Sequence, residues 1–109
     1  MLGVLQDRGF KVALVTDGRM SGASGKVPAA IHLVPEASHG GLLAQLQTGD
    51  VIRLDATTGV LSALVDATDL EHRAVSVAPA ARGTVGRILF NISRQAVSSA
   101  EEGASSLFN

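Results

Sequence analysis

The apolar run Val12-Ala13-Leu14-Val15 stops at Thr16 and gives way to Asp17-Gly18-Arg19-Met20-Ser21-Gly22-Ala23-Ser24-Gly25-Lys26. A continuous apolar segment of this length suits a short strand buried on both faces. The Gly/Ser segment behind it can be neither strand nor helix. Glycine and serine in quick succession let the backbone turn its N–H groups outward, as anion-binding nests do, and the hydroxyls and two cations complete such a surface. Residues able to do chemistry are concentrated in this one loop.

Composition fixes the kind of core. The chain has 109 residues, enough for one modest domain, and only 3% of them are aromatic, so any core is built from Val, Leu, Ile and Ala. The formal charge of −1 is spread evenly, which leaves no basic stripe for nucleic acid or a membrane surface. The sequence contains no cysteine, so the chain by itself forms no disulfide, thiolate zinc site or cysteine-ligated iron–sulfur cluster. No apolar stretch approaches the roughly 20 residues of a membrane span. With no leader ahead of the first strand, a soluble, cytoplasmic domain is expected, and the abrupt start at Met1 reads as a segment cut from something larger.

Pattern supplies the remaining elements. A strand is expected over Lys11–Val15, and a second apolar segment over Val27–Val34 with its beginning weakened by Pro28. Ser38-His39-Gly40-Gly41 forms a flexible corner. Val51–Ala56 alternates apolar and polar residues, and Thr57-Thr58-Gly59 connects it to Val60–Val65, the pattern of a β-hairpin with a bulged turn. Thr68 and Glu71 have capping-box spacing for a short helix. Thr84 is placed to cap a longer helix to about Ser99, with Val85, Leu89, Ile92 and Ala96 at helical spacing, and Leu107 and Phe108 remain to dock on something apolar. Strands first and helices later predict a β-rich α+β domain, a small β-barrel with flanking helices.

Several chemistries fail on spacing. Ser21 lacks the Gly-x-Ser-x-Gly elbow of a hydrolase nucleophile, and a loop serine bonded to its own backbone is the alternative reading. The segment Gly22–Val27 departs from a nucleotide-binding phosphate loop in both glycine spacing and the residue after Lys26. His32, His39 and His72 have no metal-site spacing, and His32 in an apolar run reads as a core-edge residue. Asp17 and Arg19 either pair across Gly18 or hold a substrate's hydroxyl and carboxylate. Lys26 is a point charge suited to phosphate.

Taken together, residues 12–32, Pro35-Glu36-Ala37, Gly40-Gly41, Thr48–Arg53 and the tail from Gly86 to Ser105 resemble the C-terminal domain of the IlvD/Edd dehydratases. Ser24-Gly25-Lys26-Val27-Pro28 is similar to the phosphogluconate branch, where the dihydroxy-acid branch has Thr-Arg-Gly. The resemblance implies a swivelling β/β/α fold for residues 1–109. It also implies dehydration of 6-phospho-D-gluconate to 2-dehydro-3-deoxy-6-phospho-D-gluconate. Ser21 matches the family serine that takes the C2 proton. Thr16, Asp17, Gly18, Arg19, Gly22, Ser24 and Lys26 then shape the loop or bind substrate, with Ser24 and Lys26 toward the phosphate.

An iron–sulfur cluster of the 4Fe-4S kind and a divalent cation (Mg) are implied for the family, on an N-terminal domain absent from this chain, in a homodimer. The isolated segment is expected to be inactive. The alternatives are the same domain of a dehydratase for an unphosphorylated sugar acid or dihydroxy acid, and a non-catalytic anion-binding domain.

Overall fold

The computed structural model describes residues 1–22, 25–77, 79–80 and 83–107. The chain divides into two compact units, Met1–Ser76 and Val77–Asn109.

The first unit opens with a helix that the sequence pattern does not announce, α1 (Leu2–Asp7). Gly9, at φ +88, takes the left-handed conformation that commonly ends a helix and sends the chain toward the first strand. Strand β1 (Leu14–Val15) pairs in parallel with β2 (Ala29–Ala30). Parallel pairing requires a crossover of a dozen or so residues, and the Gly/Ser loop is that crossover. Both strands are shorter than the apolar runs that carry them, because Pro28 has no N–H to extend the ladder.

Two short 3₁₀ turns come next, Ala37–His39 and Leu42–Ala44. The hairpin is β3 (Ile52–Asp55) against β4 (Val60–Ala63), antiparallel, with Ile52 opposite Ala63 and Leu54 opposite Leu61. Those apolar pairs share one face, as the alternation requires, while Arg53 stands opposite Ser62 on the other. Asp55 Oδ1 accepts from the amides of Thr57 (3.0 Å) and Thr58 (3.1 Å), and Gly59 at φ +68 completes the turn. The loop thus spans 56–59, one residue longer than the sequence suggests.

Helix α2 (Ala67–His72) starts earlier than a Thr68 cap would place it. Asp66 is the N-cap, and its Oδ1 accepts from the Thr68 amide at 3.1 Å and the Thr68 hydroxyl at 2.9 Å. Thr68 is therefore committed to Asp66 and forms no box with Glu71. Just past α2, the Arg73 guanidinium reaches Asp50 and Asp69, each at 2.6 Å, and the Gln45 carbonyl at 3.3 Å. The hydrogen bond from Arg73 holds the Asp50 carboxyl below the ordinary carboxylate value, helped by the Gln47 amide. This clamp returns the end of α2 to the 44–50 segment, where the Ser76 amide also donates to the Ala44 carbonyl.

Ala44 and Leu70 are the buried apolar side chains among the described residues. An open apolar cavity of about 270 Å³ between β1, the 42–46 turn and the hairpin marks where the core is thin.

In the second unit, the expected helix from Thr84 to Ser99 is two short ones, α3 (Val85–Leu89) and α4 (Asn91–Gln95), broken at Phe90 where ψ swings to +18. The apolar stripe is present but unburied: Val85, Leu89 and Ile92 are all more than two-thirds exposed. Short helices are marginal without a packed face, and the stripe on this pair is not packed among the described residues. Gly103 and Ala104, at φ +93 and +49, turn the tail so that the Ser98 amide meets the Ser105 carbonyl. Phe108 lies outside the described residues.

The architecture is a small mixed α/β one. The expected barrel is not formed among the described residues, which make two separate two-stranded sheets. A barrel closes only by pairing every edge, and four strands of two to four residues do not supply those pairs.

Candidate functional site

The loop is held by its backbone where it leaves β1. Thr16 donates to the Ala30 carbonyl (3.0 Å) and accepts from Leu33 (3.3 Å), and the Gly18 carbonyl accepts from His32 (3.0 Å). His32 sits at φ +54, uncommon for a residue with a side chain, and is exposed rather than at a core edge. Thr16 Oγ1 accepts from the Gly18 amide at 3.0 Å, a local turn that makes Thr16 a shaper of the loop.

Asp17 reaches away from the loop. Its Oδ2 accepts from the Ala37 amide at 2.8 Å, a partly buried bond that ties the loop to the Pro35–Gly41 corner. Among the described residues no ion pair joins Asp17 to Arg19. At the corner the Val34–Pro35 peptide is cis, and the amides of His39 and Gly41 both bond the Glu36 carbonyl at 2.9 Å. His39 Nδ1 lies 3.1 Å from Glu36 Oε2.

At the far end, Lys26 pairs with Asp7 of α1, both side chains about half exposed, and Gln6 Nε2 donates to the Lys26 carbonyl at 2.7 Å. Nothing in the sequence pairs Asp7 or Gln6 with the loop, because the contact exists only once α1 has formed.

Between these ties lie Arg19, Met20, Ser21, Gly22 and Gly25, which line an open concavity of about 750 Å³. Its other walls are apolar, from Leu2, Leu14, Val27 and Ile31 among others. Arg19 and Ser21 are the polar side chains on this wall, both exposed, and neither is hydrogen-bonded to another described residue. Such a wall offers one hydroxyl and one fixed positive charge to an anionic ligand. Ser24 lies outside the described residues.

The sequence profile of the family "Dihydroxy-acid/6-phosphogluconate dehydratase C-terminal" matches residues 1–104. This chain belongs to that family. It is 64% identical over 108 residues to the phosphogluconate dehydratase of Pseudomonas aeruginosa, covering 96% of this chain and 17% of that protein. With the phosphogluconate dehydratase of Escherichia coli K12 the identity is 55%, over 94% of this chain and 17% of that protein. A dihydroxy-acid dehydratase of Wolinella succinogenes is 45% identical over 65% of this chain and 12% of its own length. The chain thus spans about a sixth of the curated relatives it matches.

The cluster and cation implied for the family do not fit the residues present. The chain has no cysteine, and among the described residues no three His, Asp or Glu side chains gather closely enough to hold a metal ion. Among those residues, no helix is long and apolar enough to cross a membrane.

Proposed function

We propose that this chain is the substrate-facing C-terminal domain of a phosphogluconate dehydratase, converting 6-phospho-D-gluconate to 2-dehydro-3-deoxy-6-phospho-D-gluconate and water. The observation that carries the reading is Ser21. Its hydroxyl is exposed beside Arg19 on the wall of a concavity, in a chain highly similar to enzymes of that name. In this reading Ser21 Oγ takes the proton from C2. The C2–C3 double bond forms as the C3–O bond breaks. The proton taken by Ser21 is passed to the departing hydroxide, so that water is released and the serine is reset, and the enol product tautomerises to the ketone.

A serine is a poor base unless positive charge and exclusion of water favour its ionised form. The Arg19 guanidinium supplies charge on the same wall, and closure of this open concavity by the rest of the polypeptide would supply the exclusion of water. Arg19 also suits the substrate carboxylate. Lys26 and Ser24 are assigned to the substrate phosphate, with Gly22 leaving room for substrate. The exposed Asp7–Lys26 pair contributes little by itself, so Lys26 can exchange Asp7 for a phosphate. Thr16, Asp17 and Gly18 shape the loop.

The residues that bind the iron–sulfur cluster and the magnesium ion belong to the rest of the polypeptide, and the isolated segment is inactive. The exposed apolar residues of α3 and α4 support a docking role for that larger part. The whole protein is read as a cytoplasmic homodimer, and residues 1–109 as one swivelling β/β/α domain whose open sheet edges are completed there. Stronger amide protection of β3 and β4 in the full-length protein than in the segment is the expected sign.

The deciding experiment uses the full-length protein prepared without oxygen. Ser21→Ala is expected to lower kcat by roughly 100-fold or more, the usual share of a general base, at unchanged cluster absorbance. A Ser21→Ala protein with wild-type kcat would remove Ser21 from the reaction.

A further inference from the structure

We infer that Asp17 is a positioning residue: by accepting the Ala37 amide proton, it fixes the Ser21 loop to the Pro35–Gly41 corner. The inference rests on the reading of Ser21 as the base. It gives Asp17 no contact with substrate.

The backbone of residues 16 and 18 is held on one side by Ala30, His32 and Leu33. The side chain between them reaches the corner, where Oδ2 meets the Ala37 amide at 2.8 Å, twenty residues along the chain. Ala37 opens a 3₁₀ turn, so its N–H has no partner within that turn and requires one from elsewhere. The corner is a firm anchor. A Cβ on Gly41 would lie 1.8 Å from the Pro35 carbonyl oxygen, so the backbone there has one close-packed arrangement.

Ser21 is four residues beyond Asp17, past the last backbone tie at Gly18. A charge-assisted bond at this point restricts the direction in which the loop departs. Displacement of a reacting group by about 1 Å can cost on the order of 100-fold in rate.

The partner can be altered as well as Asp17 itself. Ala37→Pro removes the donor, and because its ring Cδ takes the direction of the lost N–H it also displaces the Asp17 carboxylate, whose oxygen lies 2.8 Å from that nitrogen. Proline is accepted at a first helical position, and Glu36 already has the extended conformation (φ −63, ψ 154) that a residue before proline adopts. Asp17→Asn keeps an acceptor oxygen while removing the charge.

The test takes the full-length protein as wild type, Asp17→Ala, Asp17→Asn, Ala37→Pro and the Asp17→Ala/Ala37→Pro double variant. The readouts are kcat, KM and amide exchange across residues 12–22. Asp17→Ala and Ala37→Pro are each expected to lower kcat by roughly 10- to 100-fold, with KM changed only a few-fold and faster exchange in the loop. The double variant should be no worse than the poorer single one, since both remove the same bond. Asp17→Asn should recover most of the rate.

Asp17→Asn as damaged as Asp17→Ala, with Ala37→Pro near wild type, would overturn the inference and give the charge to a ligand. Multiplying defects in the double variant would overturn it too. If the wild type dehydrates no sugar acid, the reading of Ser21 falls and exchange alone decides the tie. Faster, non-additive exchange upholds it, and unchanged exchange refutes it.

Discussion

Gly40 and Gly41 are neighbours with opposite reasons for being glycine, and replacing each in turn tests how the corner is built. Gly40 is at φ +82 with open space around it, so it is needed only for its backbone conformation. Gly41 has an ordinary φ of −62 but is buried, and a Cβ there would lie 1.8 Å from the Pro35 oxygen and 2.9 Å from the Glu36 oxygen. Both obstacles are backbone atoms, so no rotamer change relieves them. Gly41→Ala must displace the Pro35 carbonyl and crowd the neighbouring Glu36 carbonyl, which accepts from the amides of His39 and Gly41.

Overpacking of this kind costs about 1–3 kcal/mol, and losing one of those hydrogen bonds adds about 1 kcal/mol. At 1.4 kcal/mol per tenfold, a total of about 2–4 kcal/mol corresponds to roughly 30- to 700-fold faster opening of the corner. Hydrogen exchange of the peptide spanning residues 34–44 in the full-length protein reads this directly. Gly40→Asn, in which asparagine tolerates the left-handed conformation, should stay within about fivefold of wild type. Equal exchange in Gly41→Ala and wild type would refute the packing argument, as would a Gly40→Asn defect as large as that of Gly41→Ala.

Acid should loosen the first unit in a defined window. Asp50, Asp55 and Asp66 are held below their ordinary 3.8, chiefly by hydrogen bonds from Arg73, Thr58 and Thr68 respectively. The unfolded chain therefore binds more protons, so their stabilisation is complete above 3.8 and is lost as pH falls below it through the folded values. Protection of residues 44–50 and 66–73 should hold down to about pH 4 and fall as the pH is lowered further, and Asp50→Asn should remove much of that dependence around residue 50. Lys26→Ala in the full-length protein should raise KM for 6-phosphogluconate about tenfold or more, with kcat little changed. An unchanged KM would remove Lys26 from phosphate binding.

The hairpin was legible because period-2 alternation and a turn glycine act locally. Ile52 and Leu54 fall on one face wherever the strand pairs, and Gly59 supplies the positive φ. The Gly/Ser loop was legible for the same reason. Helix α1 was not, since its six residues begin without a side-chain cap and bury none of their side chains. The Asp66 cap was missed because Thr68 satisfies the same spacing rule, and only the geometry decides which oxygen reaches an amide.

The single long helix expected over 84–99 rested on an apolar stripe that is exposed among the described residues, so periodicity overstated its length. In the loop, the residue types were readable and their partners were not. Asp17 meets an amide twenty residues away, and Lys26 meets a helix that has no sequence signal of its own. Barrel closure is the least local feature of all, and a strand-rich pattern does not specify it.

The most direct test of the central claim is substrate discrimination by the full-length protein that carries this segment, assayed without oxygen on 6-phosphogluconate and on gluconate. The account predicts kcat/KM roughly 100-fold or more in favour of the phosphorylated acid, since a site built around a charged group rejects ligands that lack it. Equal turnover of the two, or preference for the unphosphorylated acid, would contradict it and move the chain to another branch of the family.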